Sequence, residues 1–165
     1  MHLIVHDLKP DEASLMVPQT GAHVVFDDGT IQPCIGCFGC WIKTPGRCVL
    51  DDGYENLGEL LSHCEQLTVL SQCVYGGFSP FVKNVFDRSI SYVQPGFVLK
   101  NKQMHHRRRY DNVIRLRALF YGQNLTNQER ATAVDLVYAN ALNFDAHVAE
   151  ISFRDRPQSF GEALS

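Results

Sequence analysis

No stretch of this sequence comes near the roughly 20 apolar residues of a membrane-spanning helix. Its first residues, Met1 to Asp7, have neither the basic region nor the apolar run of an export signal. Neither sign of charge dominates: 15 Lys+Arg stand against 18 Asp+Glu, a formal net charge of −3, so no overall field draws the chain to nucleic acid or to an anionic membrane. Enzyme signatures are missing too. There is no Gly-x-Ser-x-Gly elbow, no Walker loop and no Gly-x-Gly-x-x-Gly after the first apolar run, which removes the usual support for hydrolase, nucleotidase and Rossmann readings. His2, His6, His23, His63 and His147 share no metal-ligand spacing. These absences leave the expectation of a cytoplasmic protein that binds no nucleic acid and no membrane.

What is plentiful is cysteine. Four of the six lie within fifteen residues, at Cys34, Cys37, Cys40 and Cys48, while Cys64 and Cys73 stand apart. With no export signal, reduced thiols are the expected state rather than disulfides. Four soft ligands at this spacing can hold an iron–sulfur cluster or zinc, or can remain redox-active thiols. The bland alternative packs Cys34 and Cys37 as small hydrophobes in a glycine-containing turn.

The pattern along the 165 residues is that of one domain. Leu3-Ile4-Val5 and residues 22–26 read as short buried strands, and the proline-punctuated connection between them allows only one or two helical turns around Asp11 to Met16. Leu57, Leu60, Leu61 and Cys64 follow Asp51-Asp52 at helical spacing, and residues 67–70 then read as a strand. Phe81, Val82, Val85, Phe86 and Ile90 mark a helix behind Ser79-Pro80. Residues 98–111 read as a polar loop and 113–121 as a strand. Thr126 with Glu129 makes a capping box for a long helix, residues 148–153 a last strand, and residues 155–165 an exposed C-terminal arm. Strands alternating with helices predict an α/β fold with a five-stranded parallel sheet.

Pro33-Cys34-Ile35-Gly36-Cys37-Phe38-Gly39-Cys40-Trp41, followed by Thr44-Pro45-Gly46-Arg47-Cys48 and Asp51-Asp52, resembles the NADPH-dependent FMN reductase family and its iron–sulfur flavoproteins. Val74-Tyr75-Gly76-Gly77 and Lys83-Asn84-Val85-Phe86-Asp87-Arg88 extend the resemblance over roughly residues 31–153. It implies a flavodoxin-like three-layer sandwich of strand order 2-1-3-4-5, a homodimer or higher homo-oligomer, and FMN held by three loops, with NAD(P)H as co-substrate. The second loop maps onto Gln72, Cys73, Val74, Tyr75, Gly76 and Gly77, whose amides would face the flavin ring, and the third onto Tyr121, Gly122 and Gln123. Cys34, Cys37, Cys40 and Cys48 would be the ligands of a 4Fe-4S cluster, and Trp41 would shield a flavin or fill an interface.

The family's first loop has no counterpart. Asp7-Leu8-Lys9-Pro10-Asp11-Glu12 stands where a Gly- and Ser-rich turn would bind the FMN phosphate, and its three carboxylates repel an anion. Two functions are therefore expected in competition. One is an FMN-binding redox protein, the other a degenerate module that has lost FMN and serves as a subunit or interaction partner, its bare sheet face covered by a partner. His105-His106-Arg107-Arg108-Arg109 could replace the lost phosphate contacts or bind the phosphate of a nicotinamide cofactor, or be a solvated loop or an ionic partner of residues 7–12. Asp87-Arg88 reads as a structural ion pair or a subunit contact rather than a catalytic pair.

Overall fold

The computed structural model describes residues 1–18 and 20–163. Five parallel strands, β1 (His2–His6), β2 (His23–Phe26), β3 (Gln66–Gln72), β6 (Ile114–Tyr121) and β7 (Ala146–Arg154), form one sheet in the order β2-β1-β3-β6-β7. With the two strands of a separate hairpin set aside, this is the predicted 2-1-3-4-5 order. The order reverses between β1 and β3, which opens a crevice at their carboxyl ends.

One face of the sheet carries the larger core. Leu3 and Val5 of β1, Leu67 and Val69 of β3, and Leu116, Ala118 and Phe120 of β6 alternate toward α3 (Leu57–Ser62), α4 (Pro80–Arg88) and α5 (Asn127–Phe144). α5 begins with the predicted capping box, the Thr126 hydroxyl accepting the Glu129 amide while a Glu129 carboxylate oxygen accepts the Thr126 amide at 2.8 Å. α4 starts with Pro80 at its first position and the Ser79 hydroxyl accepting the Val82 amide.

The opposite face is only half apolar, and this corrects the expectation of a bare face that needs a partner. At its carboxyl half, Ile4, Leu70 and Leu119 are covered by Leu8, by Met16 of the short helix α1 (Pro10–Met16) and by Phe160. Phe160 belongs to a 3₁₀ segment, Pro157–Ala163, and is 2% exposed, so the stretch read as an exposed arm folds back onto the sheet. Residues 164–165 of that arm lie outside the described residues. At the amino half, the same face presents polar side chains: His2 and Thr68 are hydrogen-bonded at 3.0 Å, and Arg117 is paired with Glu150 at 2.9 Å. A polar half-face needs no covering helix.

A second difference concerns residues 98–111, read as a loop. They contribute to an antiparallel hairpin of β4 (Val93–Lys100) and β5 (Gln103–Arg108), turning through Asn101 and Lys102 at φ 49 and 64. The short helix α2 (Gly39–Ile42) and a 3₁₀ segment, Ser89–Tyr92, complete the elements, and no helix of the described residues is long and apolar enough to cross a membrane.

Candidate functional site

The cysteine loop is closed at its base by charge. Arg88, at the end of α4, has a side chain fully removed from solvent and forks onto Asp52, with Nη1 donating to Oδ2 at 2.7 Å and Nη2 to Oδ1 at 2.9 Å. The same Nη1 reaches the Gln32 carbonyl at 2.9 Å, and Asp52 Oδ2 also accepts the Gln32 amide at 2.8 Å. Residues 32 and 52 are thus stapled together on α4, which fixes both ends of the segment that carries the cysteines. The Arg88 hydrogen bond brings the Asp52 carboxyl down to about 2, against burial. Asp87 pairs instead with Lys83, so the two neighbours do not form the ion pair read from the sequence; each has its own partner.

Inside this staple the four thiols border one cavity of about 490 Å³, shared with Trp41, His106, Phe86 and Phe144. Cys34 and Cys37 are exposed, Cys48 is half-buried and Cys40 is buried. Burial pushes the Cys40 thiol up, and the nearby Cys48, Cys34 and Cys37 add to the push. The thiols face a common space but do not converge, for no three Cys, His, Asp or Glu side chains among the described residues stand close enough together to hold a metal ion. The chemistry of the set, four soft sulfur donors around one space, fits an iron–sulfur cluster. Cys64 and Cys73 lie elsewhere, and burial raises both thiols, Cys64 to about 11, which keeps them protonated core residues.

The indole of Trp41 donates to the Val93 carbonyl at 3.0 Å and packs against the His106 ring, 4.7 Å between centroids. Residues 105–109 therefore belong to the amino-end side of the sheet, in and just after the hairpin's second strand and against the end of α5. Arg108 donates to the Tyr110 and Asn112 carbonyls, Arg109 to the Val93 carbonyl, and His105 shares a hydrogen bond with Asn143. The basic run is thus neither a replacement phosphate site at the strand carboxyl ends nor an ionic partner of residues 7–12.

The second predicted loop, residues 72–77, leaves β3 at the sheet's carboxyl edge. Val74 and Gly77 exchange amide and carbonyl at 2.9 and 2.8 Å around Tyr75 and Gly76, both at positive φ. This is the geometry of a type I′ turn. Tyr75 is 91% exposed at its tip. The turn lies against the start of α5, where a Cβ on Gly76 would stand 2.9 Å from the Glu129 carbonyl and 2.8 Å from Thr132 Cβ. Replacing Gly76 by Ala is expected to cost about 1–3 kcal/mol from this overlap and the left-handed backbone. Urea unfolding measures it, and a loss below about 0.5 kcal/mol would show that the turn is free to move away.

Several groups expected to face a flavin are already engaged. The Gln72 amide is donated to Asp7 and the Cys73 amide to the Tyr121 carbonyl, both at 2.8 Å. The Gly122 amide is donated to the Arg154 carbonyl at 3.0 Å, and the Tyr121 hydroxyl to Asp7 Oδ1 at 2.9 Å. Burial raises the Tyr121 hydroxyl pKa, and the Asp7 and Glu12 charges raise it further. Gln123 is exposed beyond the strand end. None of residues 72–77 or 121–123 borders the cysteine cavity, so the two predicted sites are separate; α4 joins them, beginning beside the first and ending at Phe86, Asp87 and Arg88 in the wall of the second. Nine residues of helix span about 13 Å.

A parallel sheet of this order, with its switch point at Asp7 and Gln72, defines a flavodoxin-like protein. No family model matches the chain. In sequence it is similar to an iron–sulfur flavoprotein of Methanosarcina thermophila, 28% identical over 79 residues, which are 48% of this chain and 40% of that protein. It is likewise similar to an iron–sulfur flavoprotein of Methanocaldococcus jannaschii, 32% identical over 75 residues, which are 46% of this chain and 37% of that protein. The aligned part thus spans about two fifths of these curated relatives. Among solved structures it superposes on the Trp repressor binding protein from Bacillus subtilis with a TM-score of 0.54 and 11% identity, covering 99% of this chain and 95% of that one. An azoreductase from Bacillus anthracis gives 0.55 and 10%, covering 99% and 91%. At such identity these likenesses concern the fold.

Proposed function

We propose that the chain is a flavin-binding redox protein that receives electrons from NAD(P)H and carries a 4Fe-4S cluster on Cys34, Cys37, Cys40 and Cys48. The observation that carries this reading is the bordering of one cavity by all four thiols, one helix away from the loop at the sheet's carboxyl edge. The sequence relatives that bear the name iron–sulfur flavoprotein support it. A bound flavin would supply the hydride and one-electron chemistry. The chain's own part is to hold: Arg88 and Asp52 fix the cysteine segment, Trp41 walls the cavity, and the turn at Tyr75 and Gly76 offers a rigid edge at the switch point. The protein works as a homodimer or higher homo-oligomer in the cytoplasm. Support comes from the exposed Phe38, Ile42, Phe97, Leu99 and Met104 near the cysteine cavity, and from six free thiols, which suit a reducing compartment.

A specific observation favours the competing reading of an interaction module: the Asp7 carboxylate and the engaged amides at the switch point. Anaerobic purification separates the two. The redox reading expects extractable flavin with about four iron and four sulfide per chain. Cys37→Ala then loses the iron and keeps the flavin. A colourless protein that takes up neither iron nor added flavin overturns this reading in favour of the module.

A further inference from the structure

In an open α/β sheet the ligand crevice lies at the switch point, here between the ends of β1 and β3. Asp7 follows β1 directly and occupies this place with its own negative charge. Its Oδ2 accepts the Gln72 amide from the end of β3 at 2.8 Å, and its Oδ1 accepts the Tyr121 hydroxyl from the end of β6 at 2.9 Å. An amide and a hydroxyl converging at strand ends are donors of the kind that hold a bound anion. Here the anion is built into the chain.

The surroundings reinforce that choice. Glu12 follows on the same segment, accepting the Lys9 amide and, on its other oxygen, the Gln158 side-chain amide at 2.8 Å. Arg154, in register with Tyr121, places its guanidinium over the Phe160 ring at 5.6 Å and donates to the Phe153 carbonyl. The Ser71 hydroxyl, also close to Asp7, is donated at 2.9 Å to the Gln72 carbonyl. A phosphate brought to this strand end would have to stand beside Asp7 and Glu12 and displace Asp7 from both donors. A polyol chain faces the opposite situation, because its hydroxyls can donate to the same carboxylates.

We propose that this switch point takes a flavin that ends in a hydroxyl, riboflavin, in preference to one that ends in a phosphate, with Asp7 standing where the phosphate would bind. The proposal rests on the flavin reading above and is tested so that the two can fail separately. The flavin-free full-length chain is titrated with riboflavin and with FMN, followed by flavin fluorescence. Riboflavin is expected to bind about tenfold or more tightly than FMN, and Asp7→Asn is expected to narrow that ratio by at least about threefold by removing the like charge. Circular dichroism establishes that the variant is folded. If it is not, raising the ionic strength on the unaltered chain from about 0.02 to about 0.5 M serves instead, because screening a like-charge repulsion must narrow the same ratio. FMN binding as tightly as riboflavin, or a ratio indifferent to both Asp7→Asn and salt, overturns the proposal and leaves the flavin reading standing. Failure of both flavins to bind overturns the flavin reading, and the proposal with it.

Discussion

Arg88→Met is expected to lower the unfolding free energy by about 3–5 kcal/mol, the cost of leaving a buried carboxylate without its cation. Arg88 is 1% exposed and the Asp52 side chain 3%, so solvent cannot take over for the lost partner. The same change removes the bond to the Gln32 carbonyl, and with it one of the ties that hold the two ends of the cysteine segment together. Limited proteolysis should therefore cut first between residues 32 and 52 in this variant. Replacing both partners, Arg88→Met with Asp52→Leu, leaves no uncompensated charge and is expected to recover much of the loss, since a buried ion pair contributes little beyond an apolar pair of similar volume. Urea unfolding of the two variants decides the matter. A single variant that loses less than about 1 kcal/mol would mean that the pair is wetter than its burial indicates.

Why this pair was hidden while the sheet was not follows from the range of each signal. The five parallel strands and the helices between them are legible because apolar alternation and the Thr126–Glu129 box are local, set within a few residues. The Arg88–Asp52 contact joins positions 36 apart, and nothing in either segment names the other. The hairpin of β4 and β5 is not legible because its residues are mostly exposed, apolar ones such as Phe97 and Leu99 included, so no buried face imposes a visible period. Its turn uses Asn101-Lys102 in place of the usual Asn-Gly, which weakens the one local cue it has. Phe160 had a cue, an aromatic ring in an otherwise polar tail, but its pocket is made by α1 and three strands. At the site itself the cysteine spacing was legible; that all four border one cavity depends on the ends of α4 and α5, which the spacing does not name. The acidic character of residues 7–12 was legible as an obstacle to phosphate; that Asp7 itself satisfies the donors of Gln72 and Tyr121 is a property of three strand ends brought together.

The pH dependence of stability should turn on His6. It is 2% exposed at the end of β1, with its ring beside Phe26, and its Nδ1 accepts the Leu8 amide at 3.2 Å. That bond assigns the remaining ring proton to Nε2 in the neutral form. Burial lowers its pKa from 6.5 to about 4. Between these two values the unfolded chain binds a proton that the folded chain refuses, so stability rises with pH across this window. Stated in the acid direction, the folded state is undisturbed above pH 6.5 and loses stability progressively as the pH falls toward 4. The expected loss between pH 7 and about 4.5 is on the order of 2–3 kcal/mol. His2, also lowered chiefly by burial, adds to the same slope. Asp52 acts lower, its contribution being lost only as the pH falls from 3.8 through about 2. His6→Asn keeps an acceptor for the Leu8 amide but cannot titrate. Urea unfolding of this variant should show a flatter pH profile between 7 and about 4.5, the His6 share of the slope having disappeared. An unchanged slope would place the acid sensitivity in other groups and show that the ring at position 6 reaches water.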